Sequence, residues 1–246
     1  MSAALSINDV QAPARVFGVH GTTGVSYWKC LTRRVGLSAS WEAVEWACLP
    51  PGGVSGEHLH TRTEELYFIL TGTGRIVWEG GSRSVGSRDL IATPVGARHG
   101  LTNTGSDPLA WLVIEVSAPP QSAALAGRAM NDEPTRKVAP VSLHVVNLRE
   151  LERFAAPDVL EGPLRDVRLV CLTPGQRVYL HAEGVEYTTF TAAGRGTAVD
   201  GVTEIALAPG VAVTLPLGTR VTLMAADDAA LELFIACIAV DEEVAE

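Results

Sequence analysis

Three histidines and one glutamate in the first half of the chain have the types and the spacing of metal ligands. His58 and His60 are two residues apart, so on a β-strand both imidazoles face the same side. Glu65 opens a strand-like run after a short loop, and His99 follows the turn at residues 94–96. Three imidazole nitrogens and one carboxylate suit a divalent transition metal. The pattern predicts one such ion per chain, with iron, manganese, nickel or zinc as candidates.

A metal site of this kind would leave room for a small-molecule substrate. A six-coordinate ion keeps positions free beyond four protein ligands, and a single carboxylate leaves the site with a net positive charge. Both features favour an anionic or enolisable oxygen as the substrate ligand. The catalytic candidates are Glu65, as ligand and base together, and Tyr67, which shares its strand face. The Tyr67 hydroxyl could bind substrate or pack in the core with its hydrogen bond satisfied.

The simpler interpretation of a His-x-His pair is an exposed strand face, and an isolated pair is more often that than a metal site. Here three of the chain's six histidines share one segment with a glutamate and with glycines at turn positions, which favours a ligand cluster. Arg62, in the loop between the ligands, is more typical of a solvated loop residue than of a substrate partner. His20 and His144 are isolated in the sequence, and no function is predicted for them.

The elements around the candidate ligands are mostly short strands. Runs rich in β-branched and aromatic residues are bounded by Gly, Pro, Asn or Asp, which predicts an all-β sandwich or barrel. Clear examples are residues 65–70, 75–78, 111–116 and 231–240. Helical periodicity is weak and is confined to residues 121–130 and 147–154.

The chain also repeats itself. The pair Gly72-x-Gly74 and Pro94-x-Gly96 recurs at the same spacing as Gly194-x-Gly196 and Pro216-x-Gly218. Such a repeat predicts a duplicated β-domain. We expect a first domain at 1–117, a proline-containing linker at 118–140 and a second domain at 141–246. Residues 14–19 could add a strand to the other half.

These motifs resemble those of the cupin superfamily. The resemblance covers roughly residues 40–117 and 163–240, and it implies a bicupin, that is, two tandem antiparallel barrels of jelly-roll type. It also implies that the superfamily's metal ligands correspond to the four residues named above. One departure is Arg88, which stands where the motif usually has glycine. The first motif is matched by Gly52-x5-His58-x-His60-x4-Glu65-x6-Gly72 and the second by Pro94-x-Gly96-x2-His99-x3-Asn103.

The second half resembles the same superfamily without its ligands. Alignment places His181 and Glu183 at the two positions of the His-x-His pair, and Val221 at the position of the third histidine. The connecting loop is one residue shorter, so the glutamate position falls on Tyr187 or on Glu186. A weak ion site at His181, Glu183 and Glu186 is possible, but a polar remnant is favoured because only one imidazole survives.

The resemblance does not select one function, because cupins include oxygenases, decarboxylases, isomerases and binding proteins. Dioxygenase-type chemistry on a small oxygen-rich substrate is slightly favoured, since the ligand set leaves more than one coordination position. The first alternative is a non-redox isomerase, cyclase or lyase in which the ion acts as a Lewis acid on a hydroxy-keto or carboxylate substrate. The second is a sugar- or metabolite-binding protein without turnover.

Composition excludes several other classes. The chain has 19 basic and 28 acidic residues and a formal net charge of −9, which argues against binding to nucleic acids or anionic membranes. The longest uncharged run, residues 205–219, is interrupted by Pro and Gly, so no membrane span is expected. Four cysteines without a CxxC pair, and no signal-peptide pattern, predict a reduced, cytoplasmic protein. Exposed edge strands make a homodimer possible.

Overall fold

The computed structural model describes residues 4–22, 24–131 and 141–240, and it is built almost entirely from antiparallel strands. The first half contains β1 (Ser6–Asp9), β2 (Ala14–Phe17), β3 (Val25–Arg33), β4 (Trp41–Leu49), β5 (Val54–Leu59), β6 (Thr63–Thr71), β7 (Thr73–Trp78), β8 (Gly81–Gly86), β9 (Asp89–Thr93), β10 (Arg98–Asn103) and β11 (Leu109–Ser117). A one-turn 3-10 helix at Val19–Gly21 separates β2 from β3.

The second half repeats this succession of strands. It contains β12 (His144–Asn147), β13 (Arg153–Ala155), β14 (Leu164–Leu172), β15 (Arg177–His181), β16 (Val185–Gly194), β17 (Gly196–Val199), β18 (Glu204–Leu207), β19 (Val211–Leu215), β20 (Arg220–Ala225) and β21 (Leu231–Ala239). The helical elements are α1 (Pro120–Asn131), α2 (Leu148–Leu151) and a 3-10 turn at Ala156–Asp158. Among the residues that the structure describes, none of the helices is long and apolar enough to cross a lipid bilayer.

Each barrel is formed by one large and one small sheet. In the first barrel the order β12-β9-β6-β11-β4-β3-β2 packs on β5-β10-β7-β8. In the second barrel the order β1-β19-β16-β21-β14-β13 packs on β15-β20-β17-β18. The expected all-β fold of two tandem jelly-roll barrels is therefore confirmed.

Three hydrophobic clusters hold these sheets together, and the alternation of side chains along β6 shows how. Leu66 and Phe68 point to a core between the two large sheets, where Phe68 stacks on Phe234 of the second half with ring centroids 4.6 Å apart. Tyr67 and Ile69 point the opposite way, into the first barrel. A third cluster fills the second barrel. The same alternation aims Glu65 into the first barrel.

Two strands cross between the halves. Ser6–Asp9 pairs with β19 of the second barrel, and His144–Asn147 pairs with β9 of the first. The expectation that residues 14–19 join the other half is wrong, because Ala14–Phe17 pairs with β3 of its own half. The division at 1–117, 118–140 and 141–246 stays a prediction. Within the predicted linker, Pro120–Asn131 is helical, and residues 132–140 lie outside the described part of the chain.

Buried carboxylates connect the two barrels in a reciprocal way. Glu186 is fully buried and accepts hydrogen bonds from the backbone N–H of Ser38 (2.9 Å), Ala39 (3.1 Å) and Leu217 (3.0 Å) and from Trp41 Nε1 (3.1 Å). Three of these four donors belong to the first half of the chain. Since the carboxylate satisfies several buried N–H groups at once, it stabilises the contact between the barrels.

The equivalent residue of the first barrel makes the reciprocal contact. Glu64 accepts from the backbone N–H of Glu161 (3.0 Å) and Gly162 (2.8 Å), which precede the first long strand of the second barrel. Both glutamates face away from their own barrel interiors. The interpretation of Glu186 as a remnant metal ligand is therefore wrong.

Arg88 keeps the turn that glycine usually makes. Its φ is 74°, in the left-handed region that disfavours side chains, so the position has the conformation of the motif glycine. The guanidinium donates to the Leu70 carbonyl at 2.9 Å, lies over the Phe68 ring and pairs with Glu232 of the second half. These contacts offset the backbone strain and add another link between the barrels.

We expect Glu186→Ala to lower the free energy of unfolding by about 3–5 kcal/mol, because it leaves two buried and two partly buried N–H groups without an acceptor. Urea denaturation followed by circular dichroism measures this change. Glu183→Ala is the matched control, since the Glu183 side chain is 82% exposed, and it is expected to change stability by less than about 0.5 kcal/mol. Equal effects of the two substitutions would contradict the structural role of Glu186.

Candidate metal centre

The four predicted ligands come from three neighbouring elements of the first barrel. His58 on β5 lies directly opposite His99 on β10 in the strand register, so their side chains share one face. His60 follows the end of β5, where its backbone N–H and carbonyl bond to Ala97 and Gly96 in the turn before β10. Glu65 extends into the barrel from the opposite sheet. The fold therefore brings together four residues that are spread over about forty positions of the sequence.

The donor atoms of this cluster converge on one point. His99 Nε2 lies 3.3 Å from His60 Nε2, 3.3 Å from His58 Nε2 and 2.9 Å from Glu65 Oε2. His60 Nε2 lies 3.5 Å from the same Glu65 oxygen, and all four donor atoms lie within 4.8 Å of one another. An ion bound at about 2.1 Å to each ligand requires neighbouring donor atoms about 3.0–3.4 Å apart. The separations from His99 to the two imidazole nitrogens have this value.

Hydrogen bonds behind the imidazoles orient them. The Nδ1–H of His58 donates to the Gly56 carbonyl at 3.1 Å, which leaves the lone pair on Nε2, the atom that faces the cluster. His99 Nδ1 lies 3.0 Å from the Thr93 hydroxyl, so its Nε2 also faces inward. Contacts of this kind fix the ring orientation of histidine ligands in metal sites.

The histidines are neutral near neutral pH. Burial lowers the pKa of His60 to about 4 and that of His99 to about 3, and burial is also the main reason that the pKa of His58 is lowered. Burial raises the pKa of Glu65, an effect that the nearby imidazoles partly offset. Neutral imidazole nitrogens are the form that binds metal ions.

These observations fit a metal ion. Nitrogen lone pairs that face one another and a carboxylate repel unless a proton or a cation lies between them. Glu65 Oε2 is buried and has no hydrogen-bond partner among the residues that the structure describes. A buried acceptor without a partner is costly, and a cation at the centre of the cluster would satisfy all four atoms at once.

Tyr67 lies one layer deeper in the barrel. It is only 4% exposed, and its ring centroid lies 4.9 Å from that of His99 and 5.6 Å from that of Trp111. Burial raises the pKa of Tyr67 well above its usual value, and its hydroxyl interacts with the Glu65 carboxyl. In this position Tyr67 holds the Glu65 carboxyl and packs against two rings.

His20 belongs to the site although no sequence signal pointed to it. Its ring stacks on His58 with centroids 3.6 Å apart and planes 11° apart. The close approach depends on Gly56, because a Cβ there would lie 2.2 Å from the His20 carbonyl oxygen. The pKa of His20 is lowered to about 4, mainly by burial and to a smaller extent by the charge of His58. His20 lies in the 3-10 turn after β2, so only the folded chain brings it to β5.

Three other residues considered from the sequence lie away from the ligands or make structural contacts. Arg62 is exposed at the loop before β6. Asn103 is buried at the far end of β10, where its amide donates to the carbonyls of Leu49 (3.0 Å) and Asp107 (2.8 Å) and organises the loops. His144 lies on β12 at the edge of the large sheet, opposite Ala92.

The second barrel has lost every ligand, and its strand register corrects the alignment made from the sequence. Val221, at the position of His99, lies opposite Leu180, so Leu180 rather than His181 occupies the His58 position. Ala182 bonds to Thr219 and Gly218 as His60 bonds to its own turn. Tyr187 takes the position of Glu65, between Leu215 and Cys237.

The shift of one residue turns the remaining polar side chains outward. His181 Nδ1 pairs with Glu183 Oε2 at 3.2 Å on the outer surface. The alignment of His181 and Glu183 with the ligand pair is therefore wrong, and an apolar set fills the equivalent positions. Among the described residues, the one cluster with the composition and spacing of a metal site is that of the first barrel.

Comparison with known proteins agrees with this geometry. The family model of the cupin domain matches residues 45–115, which include all four candidate ligands. The first barrel is a cupin domain. An oxalate-binding protein from Thermotoga maritima is 35% identical over 66 residues, or 27% of this chain. The match spans 54% of that relative, so about half of its length is covered.

Solved structures extend the likeness from this cupin domain to the whole chain at the level of fold. Protein YlbA from Escherichia coli matches with a TM-score of 0.74 and 12% identity, over 98% of this chain and 93% of that one. The pirin YhhW from Escherichia coli, in complex with nickel(II), matches with a TM-score of 0.68 and 12% identity, over 97% of this chain and 100% of that one. An oxalate decarboxylase from Bacillus subtilis matches with a TM-score of 0.67 and 15% identity, over 98% of this chain and 78% of that one.

Substitution of His99, which is fully buried and touches the other three ligands, is expected to remove metal binding. We expect His99→Ala to lower the affinity for Mn²⁺ or Zn²⁺ at least about a hundredfold, because the ion loses its central imidazole. Isothermal titration calorimetry on metal-stripped protein measures the affinity. His181→Ala is the matched control in the second barrel and should bind one ion per chain with unchanged affinity. A full equivalent of tightly bound metal in His99→Ala would contradict the assignment of the site.

Proposed function

We propose that this chain is a metal-dependent enzyme whose small organic substrate binds the ion through adjacent oxygen atoms. The observation that carries the proposal is the convergence of three neutral imidazole nitrogens and a single carboxylate oxygen in one cluster. One negative ligand leaves a divalent ion with a net positive charge, and four ligands leave coordination positions for a substrate. An anionic or enolic oxygen chelate suits both conditions.

Different residues of the site would bind the ion, orient its ligands and support them. When bound, the metal ion supplies Lewis-acid chemistry and, if it is redox-active, electron transfer. His58, His60, Glu65 and His99 would hold the ion, while Gly56 and Thr93 keep two of the imidazoles in orientation. Tyr67 holds the Glu65 carboxyl from below. The half-buried His58 stands at the more accessible side of the cluster, which is where a substrate would approach.

Dioxygenase-type chemistry is the first reaction class that we propose, because the ligand set leaves more than one position on the ion. The role of Glu65 as a base stays a prediction from the sequence. A Lewis-acid isomerase, cyclase or lyase would use the same chelate without O₂. The relative named an oxalate-binding protein favours a third possibility, the binding of a small oxygen-rich anion without turnover.

Oxalate is the simplest probe of the proposed chelate. Calorimetric titration with oxalate is expected to show one site on the Mn²⁺-loaded protein and none on the metal-stripped protein or on metal-treated His99→Ala. His181→Ala should behave as the unsubstituted chain. If the metal-stripped protein bound oxalate as tightly as the loaded protein, the proposed role of the ion would be wrong.

Oxygen consumption separates the reaction classes. We expect the iron-, manganese- or nickel-loaded protein to consume O₂ with an oxygen-rich chelate such as catechol or acetoin, and His99→Ala to consume none. An oxygen electrode with product analysis by mass spectrometry measures this. Turnover at the same rate without O₂ would contradict the dioxygenase proposal and support the Lewis-acid alternative.

A further inference from the structure

The ring of His20 covers the most accessible ligand of the candidate metal site. It stacks on the His58 imidazole with ring centroids 3.6 Å apart and planes 11° apart, and the rest of the residue is exposed to solvent. Among the four candidate ligands, His58 is half-buried and the other three are buried. His20 therefore stands at the side of the cluster from which a molecule in solution can reach the ion.

His20 lies next to the candidate ligand set and is not a member of it. The donor atoms that lie within 4.8 Å of one another belong to His58, His60, Glu65 and His99. The two stacked rings present their faces to each other, so His20 contacts His58 through its ring face and not through a nitrogen lone pair. This geometry fits a role beside the ion rather than on it.

The backbone of His20 is strained. Its φ is 51°, in the left-handed region that residues with a Cβ rarely adopt. Gly18 and Gly21 in the same turn have φ values of 71° and 79°, which glycine adopts without strain. A histidine between them keeps a strain that glycine would remove. Strained residues of this kind cluster at functional sites, where the function needs the side chain.

Contacts within the turn and with β5 fix the place of this imidazole. The Thr22 hydroxyl donates to the Val19 carbonyl at 2.9 Å, which closes the turn. On β5, Gly56 leaves the space that the turn occupies, because a Cβ there would lie 2.2 Å from the His20 carbonyl oxygen. Both the turn and the strand therefore hold the His20 ring against His58.

The ring nitrogens of His20 are available to a ligand. Among the residues that the structure describes, neither nitrogen has a hydrogen-bond partner. By contrast, the Nδ1–H of His58 donates to the Gly56 carbonyl at 3.1 Å. An imidazole carries at least one N–H in either tautomer. His20 can therefore donate a hydrogen bond to an oxygen of a molecule that binds the ion.

We propose that His20 is a substrate-binding residue of the metal site and that its ring N–H donates a hydrogen bond to the anion that chelates the ion. The inference rests on the proposed function and narrows its substrate class. A carboxylate that binds an ion through one oxygen keeps its second oxygen free to accept such a bond. The class of ligand is therefore a small organic acid whose carboxylate takes part in the chelate.

Isothermal titration calorimetry on His20→Phe separates substrate binding from support of the ion. Phenylalanine keeps an aromatic ring for the stack on His58 and removes both ring nitrogens. We expect an unchanged Mn²⁺ affinity of the metal-stripped protein and a rise of about tenfold in the Kd of oxalate for the Mn²⁺-loaded protein. His144→Phe, at an exposed histidine of β12, is the matched control and should change neither value. An unchanged oxalate Kd, or an equal loss of Mn²⁺ affinity, would overturn the proposal.

Nuclear magnetic resonance observes the proposed donor directly. In Zn²⁺-loaded protein labelled with ¹⁵N-histidine, oxalate should shift the ring ¹⁵N signals of His20 and leave those of His144 in place. The variants His20→Phe and His144→Phe assign the two sets of signals. Oxalate binding without a change in the His20 signals would contradict the assignment of this residue.

The backbone strain provides a third measurement. In the metal-stripped state, His20→Gly is expected to melt at the same temperature as the unsubstituted chain or higher, because glycine adopts this φ freely. When loaded with Mn²⁺, it should bind oxalate as weakly as His20→Phe does. A lower melting temperature would show that the imidazole is kept for stability and would count against the proposal. Failure of the unsubstituted Mn²⁺-loaded protein to bind oxalate would instead refute the proposed function on which this inference rests.

Discussion

The convergence of four potential metal-binding atoms on one buried point is the constraint around which the first barrel is organised. Three neutral imidazole nitrogens and one carboxylate oxygen face one another in a buried cluster, with His99 within 3.3 Å of each of its partners. Burial keeps His60 and His99 in the neutral form, so these imidazoles add no positive charge to offset the Glu65 carboxylate. A divalent cation would turn the same arrangement from unfavourable to favourable. The hydrogen bonds to Gly56 and Thr93 and the contact with Tyr67 serve to hold it in place.

The second barrel shows what the scaffold looks like without that constraint. Leucine, alanine, tyrosine and valine fill the four equivalent positions and contribute to an ordinary hydrophobic core. Both barrels keep a glutamate one residue before the Glu65 position, Glu64 in the first barrel and Glu186 in the second. Each of these glutamates accepts hydrogen bonds from backbone N–H groups across the interface between the barrels. The two barrels therefore contact each other through equivalent glutamates, although the cluster of candidate metal ligands lies in the first barrel. The second barrel contributes to the site indirectly, by supporting the sheet that carries Glu65.

The sequence was sufficient to predict the fold and the membership of the cluster, because ligand type, spacing and turn residues are local signals. The positions of individual side chains in the second barrel were not predictable in the same way. Relative to the first barrel, one residue is missing before β15, whereas the sequence alignment placed the gap after this strand. The difference exchanges the inner and outer faces of β15, so His181 lies on the outer face. Long-range contacts were also missed. His20 reaches His58 only through the packing of a turn on Gly56, and β1 crosses to the second barrel without any sequence signature.

X-ray absorption spectroscopy at the metal edge tests the proposed metal site most directly, because it reports the ligands of the bound ion without requiring a substrate. For the Zn²⁺- or Mn²⁺-loaded protein we predict a first shell of nitrogen and oxygen at about 2.1 Å with the multiple-scattering pattern of three imidazoles. The imidazole pattern should weaken or vanish in His99→Ala. A shell of oxygen ligands alone, unchanged by that substitution, would show that the ion binds elsewhere and would contradict the metal site proposed for the first barrel.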